Sequence, residues 1–227
     1  MKTILVVGGS HGMGAEIVKS LLDGHRVISL SRTSPEFMHE NLSSHLMDVL
    51  ADELPEIGPL DGLVYCPGTI NLKPFARLSR KDFLEDFEVN VLGAVRVLQQ
   101  YEASLKAADN PSVVLFSTVA TKVGMPYHAS VSTAKSGVEG LVRSLAAEWA
   151  PKVRINAIAP TITDTPLAHR ILRNEASREN AKERHPLKRI LHPREVAGLC
   201  SFLLSANASS ITGQVLGMDN GMLGLRI

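Results

Sequence analysis

The chain has few aromatic residues, only two cysteines and almost no net charge. Aromatic residues make up 4% of its 227 residues, too few to build the stacking platforms of proteins that bind single-stranded nucleic acid. A formal net charge of +1, without any basic run, argues against a nucleic-acid partner or a charged membrane surface. Cys66 and Cys200 lie far apart and form no CxxC pair, so the sequence predicts neither a disulfide framework nor a zinc site.

Metal-ligand motifs and long apolar runs are missing as well. The eight histidines never stand at a spacing such as HExxH, and we expect no metal site. No apolar stretch is long enough to cross a bilayer, so no membrane partner is expected. The apolar start KTILVVGG reaches a glycine turn too soon for a signal peptide and has the form of a first core strand. These absences predict a cytoplasmic protein.

The chain alternates short apolar runs with longer helical patterns. The runs TILVV, RVISL, GLVYC, SVVLFS and RINAIA are rich in Val, Ile and Leu, as buried parallel strands are, and HLMD and GQVLGM are shorter candidates. Helical patterns cover 12–22, 80–107 and 132–149. This alternation predicts an α/β fold, a single-domain Rossmann-type doubly wound parallel sheet of about seven strands over residues 1–227. The charged segment at about 165–192 is predicted to be a helical flap over the strand ends.

A glycine-rich turn, VVGGSHGMGAEIV, follows the first strand and opens a helix. Its glycines permit a tight turn, close approach of a phosphate to the backbone, and close packing of helix on strand. The start of the helix then offers unpaired N–H groups and a partial positive charge to a pyrophosphate. Because the pattern stands between a strand and a helix, it predicts a dinucleotide site. The predicted contacts in this turn are Gly8, Ser10, His11, Gly12, Met13 and Gly14.

The end of the second strand, ISLSRT, distinguishes between the two nicotinamide dinucleotides. An NAD site has a carboxylate there for the ribose 2′-hydroxyl, whereas the 2′-phosphate of NADP needs a cation and no acid. Here Ser31 stands in place of the acid, Arg32 follows it, and the first acidic residue is Glu36. A guanidinium binds phosphate through two parallel hydrogen bonds, so the sequence favours NADP(H) over the alternative of an ordinary surface arginine. His11 is a further candidate donor to the same phosphate.

Along nearly its whole length the chain resembles the short-chain dehydrogenase/reductase family. GGSHGMG is similar to the family's Gly-x-x-x-Gly-x-Gly, MDV to its adenine-contacting Asp-Val, and YCPG to its Asn-Asn-Ala-Gly turn, without the asparagines. RINAIAPTITDTPL is similar to the segment that closes over the nicotinamide, with Thr161 in place of the usual glycine. The resemblance implies further cofactor contacts at Asp48, Val49, Cys66, Pro67, Gly68, Lys135, Pro160, Thr163 and Thr165.

The resemblance also implies hydride transfer between NADP(H) and a small carbonyl or alcohol substrate. In that family a tyrosine supplies the proton, and a lysine one turn later lowers the tyrosine pKa and holds the nicotinamide ribose. A serine orients the carbonyl and an asparagine anchors a water relay. In this chain Lys135 matches the lysine, Asn90 the asparagine and Thr118 the serine position. The tyrosine position falls on Val131, so the phenol is missing.

Two nearby groups are candidates for the missing proton donor. Tyr127 stands four residues before Val131 and His128 three residues before it, so a helix that includes them would carry both near the same face. Tyr127 would lie two turns from Lys135, too far to pair with its ammonium, whereas an imidazole with a pKa near 6.5 needs no lysine. If both are packing residues instead, the alternative is a catalytically silent NADP(H)-binding sensor or partner subunit.

The family resemblance implies self-association too. Relatives pair through helices equivalent to 80–107 and 132–149, and often pair again through the last strand. Both helical patterns carry many small and apolar residues beyond what one sheet face requires. A homo-oligomer, either a dimer or a tetramer, is therefore expected.

Overall fold

Within residues 1–226, which the computed structural model describes, seven parallel strands form one sheet. The strands are Lys2–Val7 (β1), His25–Ser31 (β2), Leu42–Leu46 (β3), Gly62–Tyr65 (β4), Ser112–Phe116 (β5), Arg154–Pro160 (β6) and Val215–Met218 (β7). They lie side by side in the order β3, β2, β1, β4, β5, β6, β7. Because β4, β5 and β6 are buried along their whole length, their sequences are almost continuously apolar. The predicted Rossmann-type α/β fold is confirmed.

Helices cover both faces of this sheet. In the described part of the chain they are Gly12–Leu22 (α1), Arg80–Phe87 (α2), Gly93–Ala107 (α3), Ala129–Trp149 (α4), Glu175–Glu183 (α5) and Pro193–Leu204 (α6). Helices α1 and α6 bury Ile17 and Leu203 in the apolar layer on one face. Helices α3 and α4 bury Tyr101 and Val142 in the layer on the other. No helix within residues 1–226 combines the length and the apolar character needed to cross a membrane.

The sheet changes direction between β1 and β4, which are neighbours in space but not in sequence. From this pair the order runs outward through β2 and β3 on one side and through β5, β6 and β7 on the other. At such a switch point the connections leave a crevice at the carboxyl ends of the strands, where α/β proteins bind ligands. Val7 and Tyr65 are paired at this end of β1 and β4. The fold therefore places the glycine turn after β1 beside the turn that follows β4.

Two predicted elements have different boundaries in the structure. The strand predicted at HLMD spans Leu42–Leu46 instead, and its side chains are mostly exposed because β3 is an edge strand. The helix predicted over 80–107 is interrupted by a π-helical turn at Glu88–Leu92. There Asn90 Nδ2 donates to Asp86 O at 2.7 Å, so a side chain binds the carbonyl that an α-helix would pair with the Asn90 backbone N–H.

The start of α4 also differs from the prediction, and the difference affects a candidate proton donor. The helix was expected from residue 132 and begins at Ala129, with His128 as its N-cap. Tyr127 precedes the helix and has a φ of 69°, a left-handed conformation that cannot continue a right-handed helix. The prediction that Tyr127 shares a helix face with Val131 is therefore wrong.

The segment predicted as a flap contains a 3₁₀ turn at Pro166–Ala168 and the short helix α5. Ala168, Leu172 and Ala181 form a small apolar cluster that joins the two. Buried His185, just after α5, connects this segment to the end of β6, because its Nε2 lies 2.7 Å from the Thr161 hydroxyl. The segment thus packs as a unit at the carboxyl end of the sheet.

Candidate active site

A cavity of about 670 Å³ opens at the switch point of the sheet, a volume typical of ligand-binding pockets. The turns after β1, β2 and β4 and the start of α1 form most of its wall. Most of the predicted cofactor contacts line it, namely Gly8, Ser10, His11, Gly12, Met13, Gly14, Ser31, Arg32, Asp48, Val49, Cys66, Pro67, Gly68 and Thr165. The fold therefore brings together residues from five separate parts of the sequence.

The glycine turn is built by direct contact between backbone groups. A Cβ on Gly14 would stand 2.1 Å from the Gly8 carbonyl oxygen, so only glycine lets α1 start this close to β1. Gly8 and Gly12 have φ values of 79° and 56°, which favour glycine as well. His11, the N-cap of α1, makes no side-chain capping hydrogen bond. The first N–H groups of the helix are thus available to an anion in the cavity.

Hydrogen-bonding side chains gather at the end of β2. Ser10 Oγ lies 2.9 Å from Thr33 Oγ1 and 2.9 Å from His11 Nδ1, and all three residues line the cavity. Arg32 stands beside them, is exposed, and forms no ion pair with an acidic residue of the described chain. Thr33 was not predicted as a contact, although it immediately follows Arg32. Two hydroxyls, an imidazole and a guanidinium are suitable donors for a phosphate.

Three predicted contacts do not line the cavity. Pro160 is buried at the end of β6, and the buried Thr163 hydroxyl donates to Thr161 O at 3.0 Å. Thr165, two residues later, does reach the glycine turn, because a Cβ on Gly12 would stand 3.4 Å from Thr165 Cβ. Lys135 is the third predicted contact that does not line the cavity, and it lies behind the cavity wall.

Lys135 and Asn90 stand directly behind Gly68. A Cβ on Gly68 would meet Asn90 Oδ1 at 3.2 Å and Lys135 Nζ at 3.5 Å, so glycine keeps these atoms close to the cavity. Lys135 Nζ donates to Phe116 O at 2.8 Å. Burial lowers the pKa of Lys135 to about 8, although the nearby Cys66 and Asp86 oppose the shift. Cys66 itself has its pKa raised to about 12 by burial, so it remains a thiol at neutral pH.

A buried carboxylate beside these residues was not predicted from the sequence. Asp86 is 0% exposed and accepts hydrogen bonds from Thr69 Oγ1 at 2.5 Å, Asn71 Nδ2 at 2.9 Å and Ser130 Oγ at 2.5 Å. Asn90 Nδ2 also donates to Thr69 Oγ1, at 2.9 Å, while buried Asn90 Oδ1 has no partner among the described residues. The available signal was the spacing of Asp86 four residues before Asn90, which puts both on one helix face.

The residues considered for proton transfer lie in different environments. Val131 is 5% exposed, one turn before Lys135, and adds no polar group beside the ammonium. Tyr127 is 58% exposed, and its backbone carbonyl accepts from Lys73 N. His128 Nδ1 lies 2.7 Å from Pro126 O. Neither Tyr127 nor His128 lines the cavity.

Thr118, at the predicted serine position, caps a short 3₁₀ turn after β5. Its hydroxyl is half-buried and accepts from Ala120 N at 3.3 Å. The hydroxyl hydrogen is therefore still available for another acceptor, since this capping bond uses only an oxygen lone pair. Thr118 does not line the cavity as the structure has it.

The site fits NADP(H) by its own geometry. The glycine turn and the uncapped helix start suit a diphosphate, and Arg32 with its neighbouring hydroxyls suits a further phosphate. The buried Asn90 Oδ1 without a partner sits next to the cavity, where a ligand or a water can satisfy it. Among residues 1–226, no group of three or more His, Cys, Asp or Glu could hold a metal ion.

Comparison with known proteins agrees with this geometry. Residues 40–223 match the family described as enoyl-(acyl carrier protein) reductase. The L-xylulose reductase of Bos taurus is 30% identical over 232 residues, which cover 96% of this chain and 95% of that protein.

Two solved structures extend the likeness to three dimensions. A short-chain dehydrogenase family protein from Francisella tularensis superposes with a TM-score of 0.90 at 23% identity, over 99% of this chain and all of that one. A putative 2-deoxy-D-gluconate 3-dehydrogenase from Agrobacterium tumefaciens, solved with bound NADP, has a TM-score of 0.89 at 28% identity, over 99% and 97% of the two chains.

The environment of Lys135 predicts a measurable cost in stability. Lowering a lysine pKa from 10.5 to about 8 corresponds to about 3 kcal/mol at neutral pH. The unfolded chain binds the proton more tightly, so stability rises as pH increases from about 8 to 10.5. We expect Lys135→Met to raise the free energy of unfolding at pH 7, on the order of 2 kcal/mol after loss of the hydrogen bond to Phe116 O. Urea denaturation of the parent and of the variant, both without cofactor, measures this difference in the free energy of unfolding.

The control for this experiment is Lys152→Met, which removes an exposed lysine. It is expected to leave the free energy of unfolding nearly unchanged at every pH. The gain from Lys135→Met should shrink as the pH approaches 10.5, since the buried lysine is then neutral in the parent as well. A loss of stability at pH 7, or a difference that does not change with pH, would contradict the assignment.

Proposed function

Because the chain belongs to the short-chain dehydrogenase/reductase family, we propose that it is an NADP(H)-dependent oxidoreductase that acts on a small carbonyl or alcohol. The observation that carries this proposal is the position of Lys135 and Asn90 behind Gly68, in the wall of a cavity that suits a dinucleotide. When bound there, the nicotinamide would supply or accept a hydride.

Each part of the cavity has a proposed role in holding the cofactor. The glycine turn and the start of α1 would bind the diphosphate. Ser10, Arg32 and Thr33 would bind the 2′-phosphate, with His11 as a further donor. Asp48 and Val49 would contact the adenine, as the family resemblance implies.

Lys135 retains a binding role that needs no phenol. With a pKa of about 8, its ammonium is mostly charged at neutral pH and can donate to ribose hydroxyl oxygens. Asn90, in the π-helical turn, lies behind the same part of the cavity wall. The Thr118 hydroxyl would orient the substrate oxygen. The names of two similar proteins support the substrate class, because L-xylulose and 2-deoxy-D-gluconate are small hydroxylated compounds.

A second candidate function follows from Val131. Since this position brings no hydroxyl to Lys135, the protein would be catalytically silent if no other group supplies a proton. It would then bind NADP(H) as a sensor or as a partner subunit. The two functions differ in turnover, not in cofactor affinity.

The first test of the proposed function is turnover with small carbonyl probes. We expect the parent protein to oxidise NADPH in the presence of L-xylulose or butane-2,3-dione. The loss of NADPH absorbance measures this reaction. Lys135→Met should abolish this turnover because it removes the donor to the cofactor ribose. Tight NADPH binding without turnover of any small ketone or aldehyde in a wider panel would favour the silent protein. In that case Val131→Tyr should create activity, since general acid catalysis contributes about 10²- to 10⁴-fold.

Cofactor preference provides a second prediction. We expect tighter binding of NADPH than of NADH, and Arg32→Asp should weaken NADPH binding about 10- to 100-fold while improving NADH binding, because a carboxylate repels the 2′-phosphate and accepts from the 2′-hydroxyl. Nicotinamide fluorescence titration measures both affinities. Arg26→Asp is the matched control, as Arg26 is exposed at the opposite end of the same strand. Equal affinities in the parent would rule out this role of Arg32.

Self-association is also proposed, through the face formed by α2, the π-helical turn and α3. Leu84, Phe87 and Leu92 are large apolar side chains left exposed there. Burying them between two copies would remove apolar surface from water. We expect a dimer or tetramer by light scattering at micromolar concentration, and dissociation to a smaller species in Leu92→Glu. The matched control is Met38→Glu, an exposed apolar residue before β3 and outside both expected interfaces. A monomeric parent would refute the proposal.

A further inference from the structure

Asp86 is held in an unusual way for a fully buried carboxylate. Its three partners are the neutral groups Thr69 Oγ1, Asn71 Nδ2 and Ser130 Oγ, on two different segments of the chain. No ion pair with a basic residue of the described chain involves it. Burying a carboxylate is unfavourable, and here the cost is offset by hydrogen bonds from neutral donors and by the charge of the nearby Lys135. The structure therefore keeps a proton acceptor in its interior, beside the cavity.

The Thr69 hydroxyl connects this carboxylate to the cavity. Thr69 follows Gly68 and lines the cavity wall. A threonine hydroxyl has one hydrogen to donate and two lone pairs that accept. Its hydrogen is directed to Asp86 Oδ1, 2.5 Å away, and one lone pair accepts from Asn90 Nδ2 at 2.9 Å. One lone pair remains, and it is available to a hydroxyl in the cavity.

Asn90 defines this arrangement further. Its Nδ2 donates both to Thr69 Oγ1 and to Asp86 O, so the same amide positions the hydroxyl and the helix turn that carries the carboxylate. An amide nitrogen can only donate, so the lone pair of Thr69 that it uses is closed to the substrate. The remaining acceptor site of Thr69 is therefore the one that a substrate hydroxyl must use.

We propose that Thr69 and Asp86 form the proton relay of this protein, in place of the tyrosine that is missing at Val131. In alcohol oxidation the substrate O–H proton would pass to Thr69 Oγ1 as the Thr69 proton passes to Asp86 Oδ1, the C–O bond would become a carbonyl, and bound oxidised NADP would supply the hydride acceptor. Carbonyl reduction is the reverse and starts from protonated Asp86, so Asp86 must take up one proton from solvent in each turnover. The inference rests on the proposed oxidoreductase function.

The roles of the two residues differ. Thr69 is the catalytic residue, because its hydroxyl would touch the substrate oxygen. Asp86 acts through it as a positioning residue that also stores the proton. Ser130 and Asn71 complete the set of hydrogen bonds around the carboxylate, and Ser130 connects it to the start of α4, next to Val131.

The test uses the parent and three variants, assayed with NADPH and with L-xylulose or butane-2,3-dione. Thr69→Val keeps the shape of the side chain and removes its hydroxyl. Asp86→Asn keeps the shape of the side chain and replaces the carboxylate with an amide, which cannot accept the proton. Both should lower kcat about 10²- to 10⁴-fold, as expected for loss of a general acid, with little change in the NADPH dissociation constant. Thr69→Ser restores the hydroxyl and should retain most of kcat. A role in packing alone would not separate serine from valine in this way, and a thermal unfolding midpoint of Thr69→Val close to that of the parent excludes a loss of structure from the broken bonds to Asp86 and Asn90.

The control is Asp61→Asn, which neutralises a carboxylate that accepts from Thr3 N at the opposite end of the sheet. It should leave kcat nearly unchanged. Thermal unfolding identifies any variant that fails to fold. If Asp86→Asn is unfolded, Thr69→Val and Thr69→Ser still decide the outcome, since Thr69 lies at the cavity wall. Turnover that persists in Thr69→Val overturns the relay and leaves the proposed function intact. A parent that turns over no carbonyl refutes both.

A crystal structure with NADP bound gives a readout that does not depend on activity. The relay requires a water or substrate oxygen within hydrogen-bonding distance of Thr69 Oγ1, on the nicotinamide side. A structure in which protein atoms separate Thr69 Oγ1 from the nicotinamide would overturn the relay. Loss of turnover in Tyr127→Phe or His128→Ala, with full activity in Thr69→Val, would assign the proton to that residue instead.

Discussion

The contact between Gly14 and the Gly8 carbonyl is the constraint from which the site follows. With no Cβ at position 14, α1 starts directly against the end of β1, and its first N–H groups point into the crevice of the sheet. Any side chain there would overlap the carbonyl oxygen at 2.1 Å and push the helix outward. The cavity between the turns after β1, β2 and β4 exists because this helix and this strand approach so closely. The same closeness lets Thr165, from the segment after β6, pack on Gly12.

A second glycine has the same effect on the other side of the crevice. Gly68 lets Asn90 Oδ1 and Lys135 Nζ approach from behind, so two buried polar groups stand one residue away from the cavity. Their environment is costly: burial lowers the pKa of Lys135, Asn90 Oδ1 has no partner in residues 1–226, and Asp86 is ionisable and fully enclosed. Apolar residues of similar volume would make a more stable core. The polar residues are better explained by chemistry at the cavity than by stability.

The fold and most of the residues that line the cavity were accessible from the sequence because both depend on local patterns. Apolar strands, a glycine turn between strand and helix, and an arginine after the second strand are neighbours along the chain, and the parallel topology then brings them to one edge. The bounds of the edge strand β3 were predicted too far along the chain, because its mostly exposed residues carry no apolar pattern. The predicted position of Tyr127 was wrong because helical spacing was extended to Tyr127, whose own backbone is left-handed.

Residues close together in the chain were sufficient to predict the parallel α/β architecture, the glycine turn, and the spacing of Val131 from Lys135. Which polar groups meet depends on the tertiary packing of distant segments. Thr69, Asp86, Asn90 and Ser130 come from the turn after β4, from α2, from the π-helical turn and from the start of α4. Their hydrogen bonds join segments up to 44 residues apart in the chain, which no local periodicity can reveal. The π-helical turn carries a further bond, from the Asn90 side chain to the Asp86 carbonyl.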